Sequence, residues 1–222
     1  MSKPVVWVVG SPRTGSSFVG LFLRACGCDP AVLVPMEGNA WNAEFTECAW
    51  IHWHATNLLG VDPGTGLWPL DRPTAFDPAA VVGFQEYLSG RHAAAVGSYL
   101  FKFNLAPVLF PEIMTAFPDN TPHRIVRVRR DHSRSTASLA ARVGCPEAHA
   151  ADYLTRLSDA YLGMASDVEA LRDGGRDIET CEVDFDRVRS NQRDELQWLV
   201  DALGLTATDA AWAVFDRSKL RF

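Results

Sequence analysis

A chain of 222 residues, 47% hydrophobic and 22% charged, has enough apolar side chains for one substantial core and is expected to form a single domain over residues 1–222. Its formal net charge of −6 excludes a general nucleic-acid binder and leaves room for a local basic site that takes a specific anion. The opening residues lack a charged segment followed by an apolar stretch and a cleavage site, and no apolar run approaches the roughly 18 residues of a membrane span, so a cytoplasmic protein is expected.

The first element is the apolar run "VVWVV", Val5 to Val9, a strand candidate. It runs into "VVGSPRTGSS", where Gly10 and Gly15 are separated by four residues and a helix is expected to follow. Near that helix end lie Cys26 and Cys28 in "ACGCDP", expected as small buried residues. The five cysteines (Cys26, Cys28, Cys48, Cys145 and Cys181) are an odd, scattered set. They fit neither a disulfide framework nor a spaced zinc site, so reduced thiols and no metal are expected. Further on, "AWIHWHATNLL" reads as a half-buried helix beside Trp41, Trp50 and Trp53. Asp62 to Pro78, rich in Pro, Gly and Asp, reads as a surface loop or lid. A helix is predicted from about Asp77 to Ala95, then a strand from Ser98 to Phe103 and a helix from near Pro107. Next come a strand from Arg124 to Val128, helices from near Asp131 and over Glu147 to Arg172, a strand from Glu179 to Phe185, and a helix from about Asn191 to Leu203, stopped by Gly204. Alternating strands and helices without a repeat or linker predict a parallel sheet covered by helices.

A strand, a glycine-bracketed turn and a helix gather backbone N–H groups and the positive end of a helix dipole around one point, which suits a phosphate. The ATP and GTP form of this loop, G-x-x-x-x-G-K-S/T, uses the lysine on the β and γ phosphates and the hydroxyl on Mg²⁺. Here Ser16 stands at the lysine position, Ser17 keeps the hydroxyl, and the cation is Arg13, inside the loop. An incidental glycine turn and a degenerate kinase loop are the alternatives from these residues alone. Downstream lies "RIVRVRRDHSRSTASLAAR", whose Arg124, Arg127, Arg129, Arg130 and Arg134 on their own read equally as a solvated basic face. Lys102, alone at the end of its strand, reads as solvated, and Glu37 as a surface glutamate.

"VVGSPRTGSS" resembles the 5′-phosphosulfate loop of the sulfotransferases, G-x-P-R/K-S/T-G-S/T-S/T. In that family a strand delivers an arginine and the next helix a serine eight residues later, and the two clamp the 3′-phosphate of the donor. Arg130 and Ser138 have that spacing, although His132 and Ser133 depart from the usual R-D-P-R turn. The block from Lys102 to "FPDN" resembles the family's K-x-P, helix and strand segment, with Asn104 in place of the proline. "CEVDFDRVRSNQRDELQWLVDALGL" resembles its closing unit, with Phe185 and Asp186 in place of Tyr and Glu. "CDPAVLVPMEGNAW" resembles the segment that carries a glutamate base in protein-tyrosine and related bacterial sulfotransferases.

The resemblance implies an α/β, P-loop NTPase-like three-layer sandwich with a central parallel sheet. It also implies transfer of a sulfonate from 3′-phosphoadenosine 5′-phosphosulfate to a hydroxyl or amine of a small molecule or carbohydrate, without a metal. Ser11, Pro12, Arg13, Thr14, Gly15, Ser16, Ser17, Arg130 and Ser138 are then expected to hold the donor. Arg13, Lys102 and Glu37 are expected to be catalytic, with Glu37 as the base and His52 and His54 as rivals for that role. Residues 39–97 are expected to form the acceptor-binding and lid region, and Arg217 or Lys219 in the tail to add donor contacts. The alternatives are an ATP-dependent small-molecule kinase of similar fold and a non-catalytic nucleotide-binding module.

Overall fold

The computed structural model describes residues 2–31, 49–61, 67–190 and 193–215. Strand β1 (Val5–Val9) is buried at all five positions, because it has a strand on each edge and helices over each face. Strand β2 (Tyr99–Lys102) pairs with one edge and sets Lys102 opposite Val8. Strand β3 (His123–Arg129) pairs with the other, and β4 (Ile178–Asp184) lies beyond it. All the pairings are parallel, as the alternating pattern predicts, and the strands lie in the order β2-β1-β3-β4.

Period-two alternation along β1 feeds two cores. Val5, Trp7 and Val9 face a layer that holds α2 (Ala49–Leu59), α3 (Pro78–Ala94), α4 (Phe110–Met114), α5 (His132–Val143) and α6 (Glu147–Asp173). Val6 and Val8 face α1 (Ser16–Ala25), α7 (Phe185–Arg189), α8 (Arg193–Ala202) and α9 (Asp209–Val214). In the first layer the fully buried Trp7 donates Nε1–H to His123 Nδ1 at 3.0 Å. That bond fixes the His123 tautomer, and burial pushes its pKa down to about 4, so the imidazole is neutral packing in the core.

Local chemistry sets the helix starts. Asp77 accepts the Ala79 N–H with Pro78 in the first turn, and Asp131 accepts the Arg134 N–H at the head of α5. Beyond shifts of a residue or two at several ends, two boundaries and one helix differ from the sequence expectation. The helix expected from Pro107 begins at Phe110. Phe185 does not end β4, because Asp184 accepts the N–H groups of Asp186 and Arg187 and turns the chain into α7 at that residue. The six-residue α9 is too short for a periodic signal. Among the described residues, no helix is long and apolar enough to cross a membrane.

The strand order places the site. The chain leaves β1 for the face of α1 and leaves β3 for the face of α5 and α6, so the loops after these two adjacent strands diverge. Such a crevice at the carboxyl ends of a parallel sheet is where ligands enter open α/β folds.

Candidate nucleotide-phosphate site

Residues 10–17 form the first wall of the crevice. Gly10 is sterically required, since a Cβ there would lie 2.7 Å from both Thr14 Oγ1 and the Val128 carbonyl. The Thr14 hydroxyl closes the turn on the Ser11 carbonyl at 2.8 Å. Arg13 is held in the left-handed region at φ 70, an uncommon conformation for a residue with a Cβ. Gly15 follows at φ 92 and begins α1 without a side-chain cap. The first N–H groups of α1 have no intrahelical acceptor, and its first turn carries no acidic residue. This is the electrostatics of an anion cradle. A Cβ on Gly15 would meet the Phe185 ring at 2.4 Å, so the first residue of α7 is the floor on which the loop rests.

The second wall is the β3–α5 turn. Arg130 Nη1 donates to the Arg13 carbonyl at 2.9 Å, and Arg13 Nε donates to Ser138 Oγ at 2.9 Å. The two residues of the expected phosphate clamp are thus brought together, with Arg13 between them. The sequence expectation aimed Arg13 along the loop at a phosphosulfate; here its guanidinium lies on α5 instead.

The neighbouring arginines are largely neutralised. Arg124 pairs with Asp177 at 2.7 Å and Glu179 at 3.2 Å, Arg129 pairs with Glu182 at 2.5 Å, and Arg134 pairs with Asp186 at 2.8 Å. Arg127 lies 3.8 Å from Glu182 and over the Tyr161 ring, 5.3 Å from its centroid. The basic run is therefore a cross-strand ladder against the carboxylates of β4 and its flanks, and Arg130 reaches from it to the loop.

A third group enters from β2. Lys102 is 3% exposed, and burial depresses its pKa to about 7. Next to it, Asn104 accepts from the Ser16 hydroxyl at 3.4 Å through its side chain and from the Tyr161 hydroxyl at 3.2 Å through its carbonyl. This asparagine, where the resemblance expects proline, ties the end of β2 to the loop and to α6. Asn104, Phe185 and Asp186 support the site and were not expected to. The signal for all three was their departure from the family pattern, Asn104 for proline and Phe185 and Asp186 for Tyr and Glu. The loop and the β3–α5 turn open into a cleft of about 740 Å³, lined by Ser11, Arg130, Ser135 and Tyr161 among others.

Glu37, Trp41, Cys48, Arg217 and Lys219 lie outside the described residues. Of the two histidines in α2, His54 is buried among Phe84 and Tyr87, with ring centroids 5.7 and 5.0 Å away; it packs in the core. His52 lies against Trp68 and Phe103, at 5.1 and 6.5 Å, beside the strand end that bears Lys102. Burial lowers its pKa to about 4. Cys26 and Cys28 are buried at the end of α1, and burial raises their thiols to about 11 and about 12. They are unreactive packing residues, as expected. No group of three or more His, Cys, Asp or Glu side chains suited to a metal occurs among the described residues.

A parallel α/β sheet with a glycine-bracketed loop at its switch point is an architecture whose geometry suits a phosphate group. Two solved structures share its course. Sulfotransferase STF1 from Mycobacterium tuberculosis H37Rv superposes with a TM-score of 0.52 at 14% identity, over 97% of this chain and 71% of that one. Sulfotransferase STF9 from Mycobacterium avium gives 0.56 at 15% identity, over 96% and 67%. The chain therefore has the fold of these sulfotransferases. No protein-family model matches the sequence, and no curated protein does.

Proposed function

We propose that this chain is a sulfotransferase of the cytoplasm, moving a sulfonate from 3′-phosphoadenosine 5′-phosphosulfate to a hydroxyl or amine of a small molecule or carbohydrate. The observation that carries the proposal is the convergence of Arg130 and Ser138 on the 10–17 loop through Arg13. A loop that binds only one terminal phosphate has no use for an arginine from the β3–α5 turn and a hydroxyl from α5, both more than a hundred residues away. A donor with phosphates at both 3′ and 5′ positions has.

In this scheme the 5′-phosphosulfate lies on the N–H groups of residues 13–17, and the 3′-phosphate takes Arg130 and Ser138. Ser138 becomes available when the Arg13 guanidinium turns from it toward the sulfonate, so donor binding itself arms the catalytic arginine. Glu37 takes the acceptor proton as the acceptor oxygen attacks sulfur in line. The S–O bond to the phosphate bridge breaks, and adenosine 3′,5′-bisphosphate leaves. Arg13 and Lys102 offset the charge growing on the bridging oxygen and the sulfonate. The scheme uses no metal.

The acceptor would lie beyond Lys102, against α2 and residues 67–77. Trp68 donates to Thr56 at 3.3 Å and Arg72 pairs with Glu112, so these residues are tied to the core. Incubation with donor labelled in the sulfonate and a panel of phenols, sugars, lipid alcohols and tyrosine peptides tests the proposal. Labelled product with stoichiometric adenosine 3′,5′-bisphosphate is expected. Donor left intact with every acceptor would count against it.

A further inference from the structure

Resting on that reading, we infer that Asp186 is a positioning residue for the 3′-phosphate site: it holds the Arg130 guanidinium in the orientation that a phosphate requires. Asp186 opens from the α7 corner toward the β3–α5 turn, joining segments 52 to 55 residues apart in sequence. Its Oδ2 accepts the Asp131 N–H at 2.8 Å, and its Oδ1 accepts from Arg134 Nη1 at 2.8 Å. The same Oδ1 lies 3.8 Å from Arg130 Nε. That nitrogen has no hydrogen-bond partner among the described residues, although the Arg130 side chain is only 9% exposed.

Arg130 is thus bracketed, with the Asp186 charge on its Nε side and the Arg13 carbonyl on Nη1. Among the described residues its other N–H groups have no acceptor, which leaves them open to a ligand. The helix itself does not need Asp186, because Asp131 already caps α5. Asp186 stays ionised: burial raises its pKa, but the Asp131 N–H and Arg134 outweigh burial and bring it below the ordinary value.

A carboxylate this close to a phosphate site has two opposed effects. At fixed geometry its charge repels the phosphate, so its removal tightens binding. As an orienter of a mobile, rotamer-rich arginine it lowers the entropy lost on binding, so its removal weakens binding. The geometry favours the second effect, since Arg134 already screens the Asp186 charge at 2.8 Å.

The test compares dissociation constants for adenosine 3′,5′-bisphosphate and 5′-AMP, which differ only in the 3′-phosphate. The preference for the bisphosphate, the ratio of the 5′-AMP dissociation constant to that of the bisphosphate, should fall about tenfold in Asp186→Asn, by loss of one well-oriented charge-assisted contact. Asp186→Glu, which keeps the charge, should restore it to within about threefold. In an Arg130→Ala background, Asp186→Asn should change nothing further, because the two act as one unit. Binding of 5′-AMP should stay constant throughout, a readout that general loosening of the fold would not spare. A ratio that is unchanged or increased in Asp186→Asn would overturn this inference while leaving the donor assignment intact. A wild-type protein that does not distinguish the two nucleotides overturns the donor assignment first, and the inference with it.

Discussion

Arg13 Nε donates to Ser138 Oγ at 2.9 Å while its own carbonyl accepts from Arg130 at 2.9 Å. The loop cation therefore rests on the residues assigned to the 3′-phosphate and not in the space assigned to the sulfonate. Arg13 thus satisfies Ser138 here; in the proposed scheme a phosphate of the donor takes over that hydroxyl.

This exchange separates binding from chemistry. Arg13→Ala removes a competitor for Ser138 as well as a contact to the donor, so the affinity for adenosine 3′,5′-bisphosphate should change by less than about threefold. Transfer should fall by about 10²- to 10³-fold, the range for losing one preorganised stabiliser of transition-state charge. Isothermal titration and single-turnover transfer measure the two. Unchanged transfer would remove Arg13 from the mechanism.

Lys102 is held at a cost to folding. Burial takes its pKa from 10.5 to about 7, so between these values the unfolded chain binds a proton that the folded chain does not, and stability rises with pH across that window. Below pH 7 the penalty is fully present. Lys102→Met should raise Tm at pH 6 by ~3 °C or more and flatten its rise between pH 7 and 10. It should also lower transfer by about 10²-fold or more. In the wild type, kcat/KM for the donor should fall as pH rises through about 7, where the free protein loses the ammonium charge. Thermal melts and a pH profile check these, and an unstabilised Lys102→Met variant with full activity would contradict them.

Gly15 combines a left-handed backbone with a ring beneath it. Gly15→Ala places a Cβ 2.4 Å from Phe185 at φ 92, and the two penalties together should destabilise the protein by ~2–4 kcal/mol. Urea denaturation measures this. A loss within about 0.5 kcal/mol of wild type would show that the loop does not rest on α7.

The base assignment divides by what each variant loses. Glu37→Gln should lower kcat by about 10²- to 10⁴-fold with little change in Tm, the range for losing a general base. His54→Ala should lower Tm, because its ring fills space between Trp53, Phe84 and Tyr87. His52→Ala should alter KM for the acceptor, because its ring borders Phe103. A kcat collapse confined to His52→Ala would move the base there.

The strands, their parallel sheet and the cradle were legible because they rest on local signals: short apolar runs, paired glycines and strand-to-helix punctuation. The β4 end was not, because "EVDF" continues an apolar alternation that Asp184 interrupts only through hydrogen bonds to the next turn. The spacing of Arg130 and Ser138 announced a pair. It did not announce the direction of Arg13, which depends on a left-handed φ at a residue with a Cβ and on a hydroxyl 125 positions away. Nor did the run of arginines announce that Arg130 turns to the loop while Arg124, Arg129 and Arg134 pair across the sheet with Asp177, Glu179, Glu182 and Asp186. Glu37 was read by position alone.

The most direct measurement is a thermal titration of the purified chain with adenosine 3′,5′-bisphosphate against Mg·ATP at equal concentrations. Ligand that binds the folded state raises Tm by mass action, about 2.7 kcal/mol of stabilisation at a hundredfold excess over Kd. A saturable rise with adenosine 3′,5′-bisphosphate, absent in Arg130→Ala and not matched by Mg·ATP, is expected. Stabilisation by Mg·ATP alone would contradict the account and return the loop to a kinase.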